Sequence, residues 1–379
     1  MQDFWERYLV LGLRLGRHVD GLVDAYFGPE ELRTQVEAEP LAEPGELAAE
    51  AASLRAAAQT LWQREQLLGC ETTARRLAGE EIGWADEVER CYGVAPRRTD
   101  ESVFEDAHER LEAVLPGDGE LADRYRAWLE GHALPKERIL EAATRLADVL
   151  RTRTVELFGL PDDESARIEI VQDEPWAGFN YYLGGRRSRV VINTDLPVYA
   201  PNLPGLVAHE VYPGHHTEHA WKEVLLVDGE GNLGETIFLV GTPQSTISEG
   251  IASLAGEIVG ADELAPAVYA DLGVAYDHEG ATAVRTARQL FDGAAVNAAL
   301  LIHEDGRSLD DAAAYLARWT LVPFEHARKR TEFIVHPTWR AYISCYANGY
   351  DLCKRWVAGD MEKFRRLLTE QLSTGDLAA

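Results

Sequence analysis

The residues of this chain best suited to chemistry lie in one short run, His209-Glu210-Val211-Tyr212-Pro213-Gly214-His215-His216. Imidazole and carboxylate groups hold zinc in catalytic sites, where protein ligands typically fill three positions and water the fourth. On a helix, a His-Glu-x-x-His pattern puts both imidazoles on one face and the glutamate beside the water. Here the position four residues after His209 is Pro213, and the next histidines are His215 and His216. Six residues of ideal helix turn through about 600°, which would leave His215 roughly 120° away from His209. His216 would share the face of His209 but lie roughly 10 Å along the axis. An unbroken helix therefore ruins the site. Pro213 has no amide proton and its ring clashes with the carbonyl of residue 209, while Gly214 tolerates unusual dihedrals. The Pro-Gly pair predicts a helix bulge that returns a histidine to the side of His209. Spacing alone leaves His215 and His216 both open as that ligand.

A third ligand is needed. The segment 246–255, with Glu249 followed by Gly250, Ala252 and Ser253, reads as the start of a helix whose small residues permit close packing. It lies far enough downstream for a loop and a return helix, so Glu249 can face His209. Glu257, two turns on, is a candidate to orient a ligand imidazole, although an exposed acid is the commoner fate of such a residue. Glu210, next to a ligand, is placed by adjacency to take a proton from the attacking water.

These residues need elements to hold them. Residues 3–157 read as helix after helix, with stretches such as 45–66, 102–114 and 136–157 at helical spacing. Breaks fall at Gly28-Pro29, Pro40 to Pro44, Pro96, Pro116-Gly117 and Pro135. Near residue 160 the character changes. Residues 166–171 and 188–193 alternate like strands, with Gly184-Gly185 as a turn before the second. From about 203 to 375 the pattern is helical again. The reading is a helical scaffold or cleft wall over 1–160, then a metal-binding part over 161–379 with a small sheet at 165–195. The two together are also compatible with one continuous domain.

Composition bounds the function. The chain has 379 residues, 46% hydrophobic, and a formal net charge of −27. Such a surface repels nucleic acid and anionic membranes, so neither is expected as a partner. No leader-like N-terminus and no membrane-length apolar run is visible, and the expected compartment is the cytoplasm. Cys70, Cys91, Cys345 and Cys353 form no C-x-x-C pair, so buried reduced thiols are expected and a thiolate zinc site is not. Gly229 to Gly234 spells G-x-G-x-x-G, but Asp228, Glu230 and Glu235 would repel a pyrophosphate and no βαβ run surrounds it. A loop between helices is the plain reading. His18, His108, His132, His278, His303 and His326 read as structural histidines, and His219 as a helix-surface one.

The run His209 to His216 resembles the HExxPGH signature of the domain of unknown function 885 family, bacterial proteins regarded as gluzincin-like zinc metallopeptidases. Asn180-Tyr181-Tyr182 and Val190 to Thr194 resemble that family's strand-rich stretch before the motif. Glu249 to Leu254 resembles its EGWALY segment, with Ile251 in place of Trp and Ser253-Leu254 in place of Leu-Tyr. Tyr342 to Gly349 resembles its late Tyr-x-x-Gly helix. The likeness covers about residues 165–360. It implies a mainly α fold, a large helical catalytic domain with a small β-sheet flanking an active-site channel. It favours His215 over His216, giving Zn2+ held by His209, His215 and Glu249. It makes Tyr346 the first candidate to donate to the oxyanion, with Tyr342, His336 and Arg340 as substitutes. It implies hydrolysis of a peptide substrate lying along an edge strand, 179–182 or 189–193. Arg186, Arg187 and Arg189 either meet a substrate carboxylate or line a solvated turn. The competing functions are hydrolysis of a non-peptide amide or ester at the same metal, and a non-enzymatic helical binding protein with a relic metal site.

Overall fold

Capping chemistry sets where several helices begin. Thr60 accepts from the Gln63 amide while the Gln63 side chain reaches back to the Thr60 amide. Ser308 with Asp311 and Ser373 with Asp376 repeat the reciprocal pattern. The structure, a computed structural model, describes residues 2–174 and 176–379. It is mainly helical with a small sheet, as the sequence predicts. No helix among the described residues is long and apolar enough to cross a membrane.

The N-terminal elements are α1 (Gln2–Gly16), β1 (Val23–Tyr26), α2 (Glu30–Ala38), α3 (Pro44–Ala57), α4 (Leu61–Leu77), α5 (Trp84–Tyr92), α6 (Glu101–Val114), α7 (Leu121–Gly131) and α8 (Lys136–Phe158). Next come β2 (Ser165–Val171), β3 (Gly178–Tyr182), β4 (Arg187–Asn193), α9 (Leu203–Glu210), α10 (His215–Lys222) and β5 (Ile237–Leu239). The chain ends with α11 (Pro243–Val259), α12 (Ala261–Asp271), α13 (His278–His303), α14 (Leu309–Thr320), α15 (Phe324–Val335), α16 (Ser344–Val357), α17 (Met361–Thr369) and α18 (Thr374–Ala378).

Two details differ from the sequence reading. The 45–66 stretch is broken at Ala58, because Thr60 caps a new helix instead of continuing the old one. A strand, β1, interrupts the region read as helices alone; it is too short for periodicity to reveal it, and its partner β5 is remote in sequence.

The three-stranded sheet has the order β2-β4-β3. Strand β2 runs parallel to β4, with Ile168 opposite Val190, and β3 runs antiparallel to β4, with Asn180 opposite Val190. Gly184, Gly185 and Arg186 all take positive φ in the turn from β3 to β4. The Glu223 carboxylate fastens that turn by accepting from the Gly185 and Arg186 amides at 2.8 and 3.1 Å. The inner face of the sheet, with Val190 and Ile192, packs with Leu146 and Leu150 of α8 and Val207 and Ala208 of α9. A second core joins α1, α3 and α4 to β5 through Leu9, Leu54, Leu67 and Ile237. A third joins Val88 and Phe104 to Ala294, Leu316 and Cys345. All four cysteines are free and buried.

The crossing of α11 and α16 matters most for the site. A Cβ on Gly349 would lie 2.3 Å from the Thr246 carbonyl oxygen, and one on Gly250 would lie 2.4 Å from the Gly349 carbonyl oxygen. Only glycine on both helices lets their backbones touch. In an isolated helix Gly→Ala is stabilising by about 1 kcal/mol. At this crossing the sign reverses: Gly349→Ala should destabilise by about 1–3 kcal/mol through overpacking. Urea unfolding reads this directly, and a raised midpoint would mean that the crossing relaxes freely.

Candidate metal centre

Helix α9 ends at Glu210 and α10 begins at His215. Between them Val211 leaves helical geometry, Tyr212-Pro213 is a cis peptide, and Gly214 turns back beneath the end of α9. The expected bulge is thus a full break between two helices. Pro213 supplies no amide to continue α9, and the Gly214 amide instead closes on the Ala208 carbonyl at 3.0 Å. A Cβ on Gly214 would stand 1.8 Å from the His209 carbonyl oxygen, so no other residue fits. The reversal brings the His209 and His215 rings to 4.8 Å between centroids, edge to face.

Glu249, in the second turn of α11 rather than the first, faces both rings. Its Oε2 lies 3.5 Å from His209 Nε2 and its Oε1 4.0 Å from His215 Nε2. One ligand atom from each of the three lies within 4.8 Å of the others. Tetrahedral zinc with bonds of about 2.0–2.1 Å sets such atoms roughly 3.3 Å apart, so small side-chain rotations close the group. Glu249 Oε2 is buried without a hydrogen-bond partner. Such an orphaned oxygen, aimed between two imidazoles, fits a cation.

The electrostatics agree. Burial holds the His209 pKa well below its ordinary value. Burial also lowers His215, to about 4, with Glu218 opposing. Both imidazoles are therefore neutral at pH 7, the form that binds a metal. Burial raises Glu249 to about 8 against the hydrogen bond from Tyr342, with Asp24, Glu218 and Asp292 adding to the rise. Burial raises Glu210 too, with Glu249 and Asp24 adding. No lysine or arginine among the described residues is close enough to hold these carboxylates ionised, and a divalent ion would. His209 and His215 keep 21% and 15% of their side-chain surface open, so the group is reachable from solvent. Asp292 of α13 stands within electrostatic reach of Glu249. It is exposed, with Arg288 and Arg330 within electrostatic reach.

His216 is not a ligand here. Its Nδ1 meets Ser188 Oγ at 2.8 Å and its Nε2 meets Glu164 Oε2 at 2.8 Å, which occupies both ring nitrogens. Glu164 also accepts from the Tyr212 hydroxyl at 2.7 Å and from Arg151 Nε at 2.7 Å. It therefore clamps the chain on both sides of the Pro-Gly reversal. His215 is oriented by Ser248, whose Oγ lies 3.1 Å from Nδ1 and donates to Glu218 at 2.6 Å. The buried Lys222 ammonium completes the line at 2.7 Å from Glu218.

Several sequence expectations are corrected. Glu257 does not orient an imidazole; it holds Tyr350 and Lys354 near the surface. His219 is not a surface residue, because its ring packs on Tyr182 and faces His215. Arg340 pairs with buried Glu87, and His336 accepts from the Thr338 amide, so neither faces the metal group. Arg189 pairs with Glu169 and Arg186 with Asp228, which makes this the solvated turn. Tyr342 donates to Glu249 Oε1 at 2.5 Å. The Tyr346 ring meets that of Tyr342 edge-on at 5.7 Å and lies within electrostatic reach of Glu249 and Glu210.

Asp24, Glu164, Ser248, Glu218 and Lys222 escaped the sequence reading. Glu218 follows His215 by three residues and Ser248 precedes Glu249, so helical spacing could have found those two. Nothing local marks Asp24 or Glu164.

No protein-family model matches the chain, and no curated protein does. Solved structures are similar to it, two putative lipoproteins among them. One is "the putative lipoprotein from Colwellia psychrerythraea", 15% identical, with a TM-score of 0.57 over 88% of this chain and 65% of that one. The other is "a putative lipoprotein of unknown function from Shewanella oneidensis", 12% identical, with a TM-score of 0.47 over 90% of this chain and 70% of that one. The present chain thus spans 65% of the length of the Colwellia protein. At such identities the likeness concerns the fold alone.

The Glu164 clamp yields a sign. Burial pushes this carboxyl up, but His216, Tyr212 and Arg151 outweigh it and bring it down to about 2 from 4.5. A carboxyl depressed on folding stabilises above its unfolded pKa, and that contribution fades as pH falls through the folded value. Glu164→Gln should cost about 3 kcal/mol at pH 7. The deficit should shrink from pH 4.5 toward pH 2. A deficit that is constant with pH would remove the ionised clamp.

Proposed function

We propose that the protein is a zinc-dependent peptidase. The observation that carries this reading is the convergence of His209, His215 and the orphaned Glu249 oxygen, with the Glu210 carboxyl buried beside them. The ligand set of two imidazoles and one carboxylate suits zinc. Zinc held there would lower the pKa of a water to near 7 and polarise the scissile carbonyl.

The protein's own residues would do the rest. Glu210 takes a proton from the attacking water and delivers it to the leaving nitrogen. A carboxyl raised by burial and by its acidic neighbours is a stronger base than a solvated one. Tyr346 is the oxyanion donor, because its hydroxyl makes no hydrogen bond to the protein while that of Tyr342 is committed to Glu249. Strand β3 forms the edge of its sheet against α9, and an edge strand can pair with an extended peptide. Cytoplasmic residence belongs to the same proposal, to be read by cell fractionation.

Glu210→Gln should retain stoichiometric zinc, measured by plasma emission. It should also lose about 10²–10⁴-fold in kcat on a peptide library. Full activity in that variant would sink the assignment. Esters or non-peptide amides cleaved in preference to every peptide would move the reading to the second class of hydrolase. Tyr346→Phe should lower kcat about 10²–10³-fold with zinc and KM little changed. If kcat does not move, the oxyanion donor lies elsewhere.

A further inference from the structure

Asp24 is the carboxylate of this site that neither metal binding nor proton transfer uses. Its strand, β1, pairs with β5 in a register that runs Val23 to Leu239 and then Ala25 to Phe238. Asp24 is therefore the extra residue of a β-bulge, a device that re-aims one side chain out of the ladder. On one side Gly21 lies against Trp339, whose ring meets Tyr342 edge-on at 5.6 Å, and Tyr342 holds Glu249. On the other side Ala25 packs with Tyr182 of β3 and Phe238 of β5. Asp24 lies in the chain between these two contacts, within electrostatic reach of Glu210, Glu249 and Tyr181.

Among the described residues nothing answers its charge. Asp24 makes no hydrogen bond and no ion pair, and burial alone pushes its pKa up to about 7. Asp292, the other remote acid near Glu249, has Arg288 and Arg330 nearby. Beside the same Glu210, the buried amide of Asn180 spends its Nδ2 on the Glu210 carbonyl at 2.6 Å and leaves Oδ1 without a partner. A divalent ion balances Glu249 and Glu210. Asp24 is then left over, an acceptor wanting a monovalent cation with N–H donors, and an ammonium group is such a cation. The ammonium that every unblocked peptide carries next to its first peptide bond is its α-amino group.

We propose that Asp24 is a specificity-determining residue that holds the free α-ammonium group of the substrate, so that the site acts on amino-terminal residues of peptides and on amino-acid amides. This rests on the metal-hydrolase reading above. It adds no chemical step, since the amine is held and not transformed.

The test is binding to the zinc-loaded full-length protein by titration calorimetry. Two probes are compared: leucine hydroxamate, and 4-methylpentanohydroxamate, which has the same skeleton and metal-binding group without the amine. The wild type should bind the amine-bearing probe tighter by roughly 10-fold or more. Asp24→Asn should cut that preference to within about 2-fold while binding of the amine-free probe stays put. Zinc content and melting midpoint of the variant serve as controls. Equal binding of both probes to the wild type overturns the proposal on its own, without any variant, and leaves the metal site intact. A preference that survives Asp24→Asn overturns the assignment to Asp24. If neither probe binds, or the protein takes up no zinc, the metal-hydrolase reading itself has failed and this inference falls with it.

Discussion

Everything at this site depends on the close pass of Gly214 beneath the last turn of α9. The backbone there runs so near the carbonyls of Ala208 and His209 that a single added carbon cannot fit. That contact converts a spacing wrong for a continuous helix into one that sets two imidazoles edge to face. It also leaves His209 in the last turn of α9, the negative end of the helix dipole. A reversal this tight would be costly if its polar groups were left bare. The Gly214 amide closes on Ala208, the Val211 carbonyl is taken by Thr217, and Glu164 ties Tyr212 to His216. The second histidine of the pair therefore serves the turn and leaves the first to face His209 and Glu249.

A second close approach sets the other half of the site. Gly250 and Gly349 let α11 and α16 touch, so that Tyr342, just before α16, donates to Glu249 with the Tyr346 ring beside it. The resulting pocket groups Glu249, Glu210 and Asp24 with two neutral histidines and no countercharge from the protein. Such a grouping opposes folding unless a cation joins it. Elsewhere the chain meets its buried acids with partners: Glu87 with Arg76 and Arg340, Glu218 with Lys222, Glu164 with Arg151. The exception is confined to this group, which is where a functional site should carry its unresolved charge.

What was legible in the sequence follows contact range. The break at 211–214 was legible because its logic is local: a proline and a glycine interrupt a helix, and the histidines on either side come together. Glu249 was legible because a helix start with small residues announces a close-packed face. The strands at 165–171 and 187–193 were legible from alternation. Spacing could not decide between His215 and His216, because the deciding partner of His216 is Glu164, 52 residues away. Glu257 has the commoner fate of an exposed acid, where Tyr350 and Lys354 claim it from another helix. Asp24 lies in a four-residue strand, too short for any periodicity, and its meaning depends wholly on β5.

That dependence changes the role of the N-terminal helices. They look like a scaffold because they carry no clustered histidines or acids. Yet β1 pairs with β5, and β5 leads directly into α11, the helix that presents Glu249. The core that binds α1, α3 and α4 includes Ile237 and Leu239 of β5. The position of Asp24 relative to Glu249 is thus set by a strand ladder and a packed core, not by a loose loop. Rigid elements hold a recognition group to the tolerance that chemistry requires. The N-terminal region therefore brings its own carboxylate within electrostatic reach of Glu249 and Glu210.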